Sequence, residues 1–320
     1  TLFRSYQDSD GDGIGDLNGL TARLDYLKDL GVSGIWLMPV FRSDDRDHGY
    51  AVVNYRDIEP DYGTLADFDR LLAEAHQRGI GVIVDYVINH SSSAHPAFED
   101  AYDHRDSQFA DWYVFAETEQ KGWNTFSGDP WREAQSRWYY AVFDANMPDF
   151  NLRNPAVVEF HLNNLKFWLN RGVDGFRFDA VGVLIENRAI AWENQPENHV
   201  LMKRIQGVLA EYPNRYMVCE APSDPAAFAA ADSCGSAFAF GLQKHLLASI
   251  KIGRVRPDLL YTLRTLPVER MGTLLANHDY FAGARLYKQF SGDEKSYRLA
   301  AATLLTLPGI PFIYYGEEIG

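Results

Sequence analysis

The sequence has few cysteines and few cations, and each shortage limits what the protein can be. Its 320 residues include two cysteines, which leave the cellular compartment open. Cys219 lies in an apolar stretch, where we expect a buried free thiol rather than a disulfide with Cys234. Lys and Arg number 30 against 44 Asp and Glu, a net charge of −14 that argues against nucleic acid or an anionic membrane as a partner.

Long apolar runs and low-complexity tracts are also missing. No run approaches the roughly 18 apolar residues of a membrane span, so we predict none. With 46% hydrophobic residues over this length, the chain can form one large core, or a core domain with an added lobe. The N-terminus, TLFRSYQD, is typical of the end of a strand already under way, so the lack of a signal peptide carries no information.

Strand and helix patterns alternate along most of the chain. Leucines at helical spacing predict a helix from Leu17 to Gly31, and Thr64 with Asp67 resembles a capping box that opens another. Pro155 opens a third helix, and two more are predicted near 195–212 and 293–306. The predicted buried strands are 34–40, 81–88, 173–178, 215–220, 235–239, 271–276 and 310–315.

About eight such alternations predict an α/β fold closed as a (β/α)8 TIM barrel. The alternative is an open doubly wound sheet, but no Gly-rich phosphate loop follows the first strand. Residues 91–150 break the rhythm with four of the seven tryptophans and predict an inserted lobe after strand 3. The expected domains are therefore 1–90 and 151–320 for the barrel and 91–150 for the insertion. We expect the first strand to be clipped, with no terminal helix or C-terminal β domain.

An acidic loop, DSDGDGIGD, occupies residues 8–16. Alternating carboxylates and one backbone carbonyl are the oxygen ligands that Ca²⁺ favours. Gly19 stands where an EF-hand would place its Glu, so we predict a structural calcium loop of another type. A solvated acidic turn is the alternative, although its carboxylates would repel one another without a cation. The predicted ligands are Asp8, Asp10, Asp12, Asp16 and the carbonyl of Ile14.

Polar residues stand at the ends of four predicted strands. In GVDGFRFDAV, residues 172–181, Arg177 and Asp179 are two apart and point to one face of the strand. A structural ion pair would also explain them, because a buried charge is costly unless it is paired or used. The other clusters are residues 85–90, Glu220 and residues 278–279. Barrel enzymes carry their working residues at this end of the strands, so these residues are predicted to form a site.

Two carboxyl groups facing each other are the minimum equipment for glycoside hydrolysis. Arg177 should lower the pKa of Asp179 and keep it a nucleophile. Burial should raise the pKa of Glu220, which suits a general acid/base. Asp279 would hold the sugar and favour an oxocarbenium-like state. His90 and His278 would donate hydrogen bonds to sugar hydroxyls.

The chain resembles the α-amylase family of glycoside hydrolases, glycoside hydrolase family 13, because seven motifs appear in the order that they have in that family. They are GIWLMPVF (34–41), DYVINH (85–90), MPDFN (147–151), GFRFDAV (175–181), the Glu220 strand, ANHD (276–279) and GIPFIYYGEE (309–318). The resemblance implies a (β/α)8 barrel with domain B at 91–150, a Ca²⁺ cofactor and a retaining mechanism with carboxyl groups about 5–5.5 Å apart. It implies Asp179 as nucleophile, Glu220 as acid/base and Asp279 as stabiliser. It also implies sugar binding by Asp47, Tyr50, His90, Arg177 and His278.

The resemblance is intermediate between the oligo-1,6-glucosidase and neopullulanase branches, and it leaves several activities open. Ala180, a small residue after the nucleophile, favours α-1,4 bonds, and Val181-Gly182 replaces the Lys-His pair of many endo-acting amylases. We predict an α-amylase-type hydrolase of α-1,4-glucan. The alternatives are an exo-acting α-glucosidase or oligo-1,6-glucosidase, a neopullulanase or cyclodextrinase, and a glucosyltransferase such as trehalose synthase.

A binding protein is the alternative from another class. Some relatives keep the barrel but lose the carboxylates, such as the heavy-chain subunits of amino-acid transporters, and a noncatalytic glycan-binding module is the other alternative of this class. All three carboxylates are present here, which favours the enzyme. The tryptophans of 91–150 are expected to serve packing. A polysaccharide substrate and a calcium requirement favour a secreted or periplasmic protein, with the cytoplasm as the alternative.

Overall fold

Parallel strands and helices alternate in the computed structural model, which describes residues 5–44, 47–279 and 283–319. Among the described helices, none combines the length and the apolar character that crossing a membrane requires. The strands are β1 (Gly34–Leu37), β2 (Phe41–Ser43), β3 (Val52–Ile58), β4 (Gly81–Tyr86), β5 (Phe115–Ala116), β6 (Trp131–Ala134), β7 (Arg137–Tyr140), β8 (Gly175–Phe178), β9 (Tyr216–Cys219), β10 (Gly272–Leu274) and β11 (Ile310–Phe312). The helices are α1 (Leu17–Ala22), α2 (Leu24–Asp29), α3 (Leu65–Gln77), α4 (Pro96–Asp103), α5 (Pro155–Arg171), α6 (Pro196–Leu209), α7 (Pro225–Phe228), α8 (Leu242–Lys251), α9 (Pro257–Thr265), α10 (Leu286–Gln289) and α11 (Glu294–Thr306).

The central sheet follows the chain order. β1, β4, β8 and β9 pair in parallel, and β10 pairs in parallel with β11. Residues 237 and 238 connect the two groups through single parallel bridges to Cys219 and Gly272. The ring of Trp36 on β1 lies 6.2 Å from that of Phe312 on β11, so the last strand curves back toward the first. Within the described residues, seven parallel segments therefore follow one another around the core.

Side chains that alternate along these strands form two apolar layers. Ile83, Val218, Phe238 and Leu274 pack with one another inside the ring of strands. The neighbouring strand residues, such as Met217 and Cys219, belong to the larger layer between strands and helices. Period-2 alternation produces this division. The inward polar residues Asp85 and Arg177 stand near the C-terminal ends of β4 and β8.

Gly175 allows β8 and β9 to approach closely. Its φ is +152°, and a Cβ there would lie 1.8 Å from the carbonyl oxygen of Tyr216. A side chain would push the two strands apart. Since β8 carries Arg177 and β9 leads to Glu220, this glycine brings the two halves of the predicted site together.

Helix boundaries agree with the cap residues of the sequence. The Thr64 side chain accepts from the backbone N–H of Asp67, and the Asp67 side chain accepts from that of Thr64, which confirms the capping box of α3. Pro155 is the first residue of α5, and Gly172 ends it in a left-handed conformation with φ +104°. α6 and α11 fall within the predicted ranges.

The single helix predicted from Leu17 to Gly31 is wrong, because two short helices occupy that stretch. Arg23 separates α1 from α2, and its N–H donates to Leu20 rather than continuing the α-helical ladder. The hydroxyl of Thr21 donates to the carbonyl of Leu17, a side-chain bond of the kind that bends helices. The leucine spacing alone cannot reveal this break.

Residues 91–150 follow β4 and contain α4 and a small antiparallel sheet in the order β5-β7-β6. Trp131 and Trp123 pack against Tyr140 in an apolar cluster of this segment. The packing role expected for these tryptophans is thus present. The boundaries 1–90, 91–150 and 151–320 stay a prediction.

The predicted free thiol is wrong, because Cys219 forms a disulfide with Cys234. Both residues are buried, so the apolar neighbours of Cys219 indicated its burial correctly. Cys234 comes close to Cys219 only when the chain is folded. Ala237 bridges to Cys219, which brings the preceding loop beside β9 and the two Cα atoms to 6.3 Å. A spacing of 15 residues carries no sign of that pairing.

Candidate active site

One buried guanidinium joins three carboxyl groups at the C-terminal end of the strands. The side chain of Arg177 is 1% exposed. Its Nη1 lies 2.8 Å from Oδ1 of Asp85 and 2.5 Å from Oδ1 of Asp179, and its Nη2 lies 2.8 Å from Oε2 of Glu220. The Arg177–Asp179 ion pair weighed from the sequence is present, and it is part of a larger cluster with carboxylates from three strand ends.

Strand register explains why these groups meet. Arg177 pairs with Asp85 on β4 and with Val218 on β9. Arg177, Val218 and Glu220 lie on alternate positions that face the inside of the ring. Asp179 and Glu220 each follow the last residue of their strands, so both carboxyl groups reach the mouth of the ring.

Burial dominates the protonation of the cluster. It raises the pKa of Asp179 to about 6, although Arg177 acts to lower it. Arg177 lowers the pKa of Asp179, as predicted, but the loss of water on burial, which could not be read from the sequence, outweighs this effect. Asp85 also has a pKa raised by burial to about 6.

Glu220 holds its proton more strongly than Asp179. Burial raises its pKa to about 7, with Arg177 lowering it and the charge of Asp179 raising it. A hydrogen bond between the two carboxyl groups lowers the pKa of Asp179 and raises that of Glu220. The predicted direction for Glu220 is confirmed. Its contact with Arg177 could not be read from the sequence, where no cation is near.

A left-handed backbone follows Asp179. Ala180 has φ +49° and ψ +38°, a conformation that non-glycine residues rarely adopt. There its N–H donates to Oε2 of Glu220 at 3.0 Å, and the next N–H, from Val181, donates to the backbone carbonyl of Glu220 at 3.1 Å. The turn after β8 thus fixes both the main chain and the carboxyl group of Glu220.

Neutral histidines lie beside the cluster. Burial lowers the pKa of His90 to about 4 and that of His278 to about 2, so both rings are uncharged near neutral pH. The Tyr50 hydroxyl lies 2.9 Å from Nε2 of His278 and donates to Asp85 at 3.3 Å. Nε2 of His90 is buried and has no hydrogen-bond partner among the described residues.

Asp279 completes the predicted set of carboxylates. Its carboxylate accepts from Nδ2 of Asn277 at 3.0 Å and lies 3.5 Å from Nε2 of His278. Its side chain is 25% exposed, more than those of Asp179 and Glu220. The side chain of Asp47 lies outside the described residues, so its predicted contact stays a prediction.

Sequence reasoning missed two groups that support Arg177. Asp85 is fully buried and bonds Arg177, and Nε1 of Trp36 donates to Asp85 at 3.2 Å. Asp85 stood within the predicted 85–90 cluster without a role of its own. The signal was available, since a carboxylate inside an apolar strand requires a partner.

An aromatic wall, formed by Phe126, Phe143 and Trp192, extends from His90. The ring of Phe143 lies 5.1 Å from that of His90, and Phe126 lies 5.3 Å from Phe143 and 5.7 Å from Trp192. Trp192 also belongs to the apolar cluster of Ala180. Phe126 is 59% exposed, unusual for a phenylalanine. No local pattern in the sequence predicts that these distant residues meet.

The acidic loop brings three of its carboxylates together. Asp8, Asp10 and Asp16 each place one oxygen within 4.8 Å of the others. Asp8 accepts from the N–H groups of Gly11 and Gly13, which lowers its pKa and keeps it charged. Asp16 is buried and caps α1 through the N–H of Gly19. Asp12 is not part of this group, and its carboxylate accepts from Ile14.

Comparisons with known proteins identify the family. The protein-family model described as "Alpha amylase, catalytic domain" matches residues 2–320. "Trehalose synthase/amylase TreS" of Mycolicibacterium smegmatis is 36% identical, with 100% of this chain and 62% of the relative covered. "Alpha-amylase 3" of Dictyoglomus thermophilum is 37% identical, with 100% and 63% covered. The chain therefore spans about three fifths of the length of these curated relatives.

A solved structure agrees with the family match. The crystal structure of alpha-amylase from H. orenii superposes with a TM-score of 0.86 at 37% identity, covering 100% of this chain and 68% of the other. The match confirms the predicted (β/α)8 barrel. On these grounds the chain belongs to the α-amylase family of glycoside hydrolases, family 13.

Proposed function

We propose that this enzyme cleaves α-1,4-glucosidic bonds of starch and maltooligosaccharides with retention, through a covalent glycosyl-enzyme. One observation carries the proposal: Asp179 and Glu220 share a hydrogen bond beside Arg177, and the pKa of Glu220 is the higher of the two. Glycoside hydrolysis with retention requires one ionised carboxylate and one protonated carboxyl group, both placed beside the glycosidic bond that is cleaved.

In the first step, the carboxylate of Asp179 attacks the anomeric carbon. The carboxyl group of Glu220 gives its proton to the glycosidic oxygen, which leaves as a sugar hydroxyl. Arg177 contacts both groups and stabilises the negative charge that passes from Asp179 toward the leaving oxygen. The product is an ester between Asp179 and the glucosyl unit.

In the second step, the carboxylate of Glu220 takes a proton from water. The resulting hydroxide-like oxygen attacks the anomeric carbon and breaks its bond to Asp179. Asp179 returns as a carboxylate and Glu220 as an acid, so the cycle closes. Two displacements at one carbon retain its configuration.

Sugar binding falls to the groups around this pair. The amide nitrogen of Asn89 lies 3.4 Å from Nδ1 of His90 and can only donate to it, so the proton of the neutral ring is on Nε2, which can donate to a sugar hydroxyl. Tyr50 and His278, with parallel rings 6.0 Å apart, offer a flat face and polar edges. Asp279 is exposed enough to accept from the sugar and to stabilise positive charge at the anomeric carbon. Asp47 is proposed for the same sugar.

Bond preference follows from the space after the nucleophile. Ala180 has only a methyl group, and its left-handed backbone disfavours a larger branched residue. The aromatic wall beside it supplies rings on which a glucan chain can stack. Both features support α-1,4 oligosaccharides over the α-1,6 bonds of the exo-acting alternatives.

Glucosyl transfer is the second candidate, and the names of relatives favour it. The 36% identical protein of Mycolicibacterium smegmatis is named trehalose synthase/amylase. Transfer uses the same glycosyl-enzyme and replaces water by a sugar hydroxyl in the second step. Trehalose synthase activity would therefore require no change in the residues that break the bond.

The test is a product time course with full-length protein and Ca²⁺ on soluble starch, maltotriose, maltose, isomaltose and pullulan. Mixed maltooligosaccharides from starch, with isomaltose untouched, are the expected result. Glucose alone from short substrates would identify an exo-glucosidase, panose from pullulan a neopullulanase, and trehalose from maltose the transferase. Asp179→Asn is the control: it should keep the fold and abolish turnover, whereas a binding protein would be unaffected by it.

We also propose Ca²⁺ in the acidic loop, bound by Asp8, Asp10 and Asp16. Three mutually close carboxylates with one pKa held low fit a hard cation. Asp12 and the carbonyl of Ile14 are proposed as further ligands. A cation there would neutralise the loop and stabilise the start of α1, with no part in bond cleavage.

A secreted or periplasmic location is proposed for the protein. The buried disulfide supports it, since such bonds persist in oxidising compartments. Polysaccharide substrates and a calcium supply agree with that location. An α-glucan is the proposed binding partner, with neither nucleic acid nor membrane.

A further inference from the structure

The Cys219–Cys234 disulfide lies directly behind Glu220. Val218 and Cys219 point to opposite sides of β9: Val218 packs inside the ring of strands, and Cys219 packs in the layer toward the helices. Glu220 points inward, to Arg177. The disulfide therefore anchors the main chain one residue before the carboxyl group, on the face away from the substrate.

The far end of the disulfide is held firmly. The carbonyl of Cys234 accepts from Nε2 of Gln206 on α6 at 3.0 Å. Its N–H donates to the carbonyl of Phe228 at 3.1 Å. Both sulfur-bearing residues are nearly fully buried, at 0% and 2% exposure. The disulfide and the part-buried hydrogen bond of Gln206 thus connect the tip of β9 to α6.

Backbone hydrogen bonds also hold the tip of β9 on this outer side. The N–H of Cys219 donates to Ser236, and its carbonyl accepts from Phe238, both in the segment that Cys234 begins. If that segment shifts, it takes these two bonds with it. On the inner side, the main chain of Glu220 is bonded to β8 and the turn after it, since its N–H donates to Phe178 and its carbonyl accepts from Val181. The disulfide acts on the opposite, outer side of the strand.

We propose that the Cys219–Cys234 disulfide is a positioning device for Glu220, keeping its carboxyl group aligned with the glycosidic oxygen. The inference rests on the proposed role of Glu220 as general acid. The cysteines touch neither substrate nor reacting atoms, so they act through the main chain. Misplacement of Glu220 should weaken proton transfer more than nucleophilic attack, because Asp179 follows β8 and keeps its own bond to Arg177.

The effect of a misplaced Glu220 on the rate depends on the leaving group. A sugar oxygen needs a proton to depart, whereas the fluoride of α-glucosyl fluoride departs without one. General acid catalysis typically contributes about 10²–10⁴-fold. Loss of alignment should remove part of that factor for maltotriose and almost none for the fluoride.

The experiment compares both substrates in wild type and in the double variant C219A/C234A. A proteolytic digest without reductant first verifies the disulfide in the wild type. For the double variant, kcat on maltotriose should fall about 10–100-fold while the rate of glycosyl-enzyme formation from α-glucosyl fluoride stays within about threefold. The alkaline limb of the pH profile on maltotriose should also shift, because the surroundings of Glu220 change.

Met202→Ala is the matched control, a buried residue of α6 that lowers stability without breaking the bond. It should affect both substrates equally. Equal losses in the double variant, no loss on either substrate, or a digest without the linked peptide would overturn the inference. If the double variant does not fold, Cys234→Ala serves, because it breaks the bond without altering β9. A wild type inactive on both substrates would instead reject the proposed function.

Discussion

At the scale of residues, the protonation of the site belongs to a cluster rather than to one group. Arg177 contacts Asp85, Asp179 and Glu220, and burial raises the pKa of all three carboxyl groups. The carboxylates keep some negative charge because the guanidinium cannot lose its proton. The order of their pKa values decides which group attacks and which donates.

This order predicts a narrow pH optimum. Asp179 must be ionised, so activity falls as the pH drops below about 6, and Glu220 must be protonated, so activity falls as the pH rises above about 7. A profile of kcat/KM against pH on maltotriose should therefore be bell-shaped, with its maximum between these values. A profile that is flat from pH 5 to pH 8 would contradict the assignment.

Asp85→Asn refines that prediction. The charge of Asp85 raises the pKa of Asp179, so its removal should move the acid limb to lower pH. Asp149→Asn removes another buried carboxyl group, one that is not among the groups acting on Asp179, and should leave this limb in place. An acid limb that moves equally in both variants would show a general effect of lost charge.

At the scale of elements, strand ends supply the chemistry and the loops between them supply the walls. The segment 91–150 contributes Phe126 and Phe143, and the loop after β8 contributes Trp192. Apart from Asp179 at the start of that loop, neither segment carries a proposed catalytic residue. Their aromatic side chains contact one another, and Phe143 contacts His90, so they form one wall beside the strand ends.

The aromatic wall predicts a binding effect without a chemical one. Phe126→Ala should raise KM for maltotriose about tenfold, equivalent to about 1.4 kcal/mol, with kcat nearly unchanged. Tyr261→Ala removes another exposed aromatic side chain, on α9, and should change neither constant. A loss confined to kcat would show that Phe126 acts in the reaction itself.

The acidic loop predicts calcium-dependent stability. Because Ca²⁺ would bind the folded loop and not the unfolded chain, Tm should rise with Ca²⁺ concentration and fall on chelation. Asp10→Asn should weaken this dependence, while Asp29→Asn, at an exposed acid outside the loop, should keep it. Calorimetric scans across a Ca²⁺ series provide the measurement, and a constant Tm in the wild type would argue for a solvated turn.

At the scale of the whole molecule, buried acids make stability depend on pH. Burial raises the pKa of Glu186 from 4.5 to about 7, with Arg153 lowering it. Its contribution is fully present below the unfolded pKa and is lost as the pH rises through the folded value. The protein should therefore lose stability between about pH 4.5 and pH 7 through this group.

Glu186→Gln removes the titration and should relieve that loss. The variant should gain stability over wild type between pH 4.5 and pH 8, by up to about 3 kcal/mol. Denaturant unfolding at both pH values measures the difference. Exposed Glu269→Gln should show no such change. An equal effect of Glu186→Gln at both pH values would mean that packing, rather than ionisation, is responsible.

Local signals in the sequence predicted much of this molecule. Thr64 and Asp67 predicted the start of α3 because a cap involves neighbours along the chain. The apolar strand around Arg177 predicted a buried, partnered charge for the same reason. Contacts between distant segments could not be predicted in this way: the disulfide of Cys219 and the reach of Arg177 to Glu220 exist only after the strands pair.

Sharing one guanidinium among three strand ends has a consequence for the order of events. In the proposed glycosyl-enzyme, Asp179 is an ester, so it no longer carries the charge or accepts the hydrogen bond that raise the pKa of Glu220. The pKa of Glu220 then falls, and the former acid becomes a base at the moment when water needs one. Each covalent state of Asp179 therefore sets the pKa of Glu220 to the value that the next step requires.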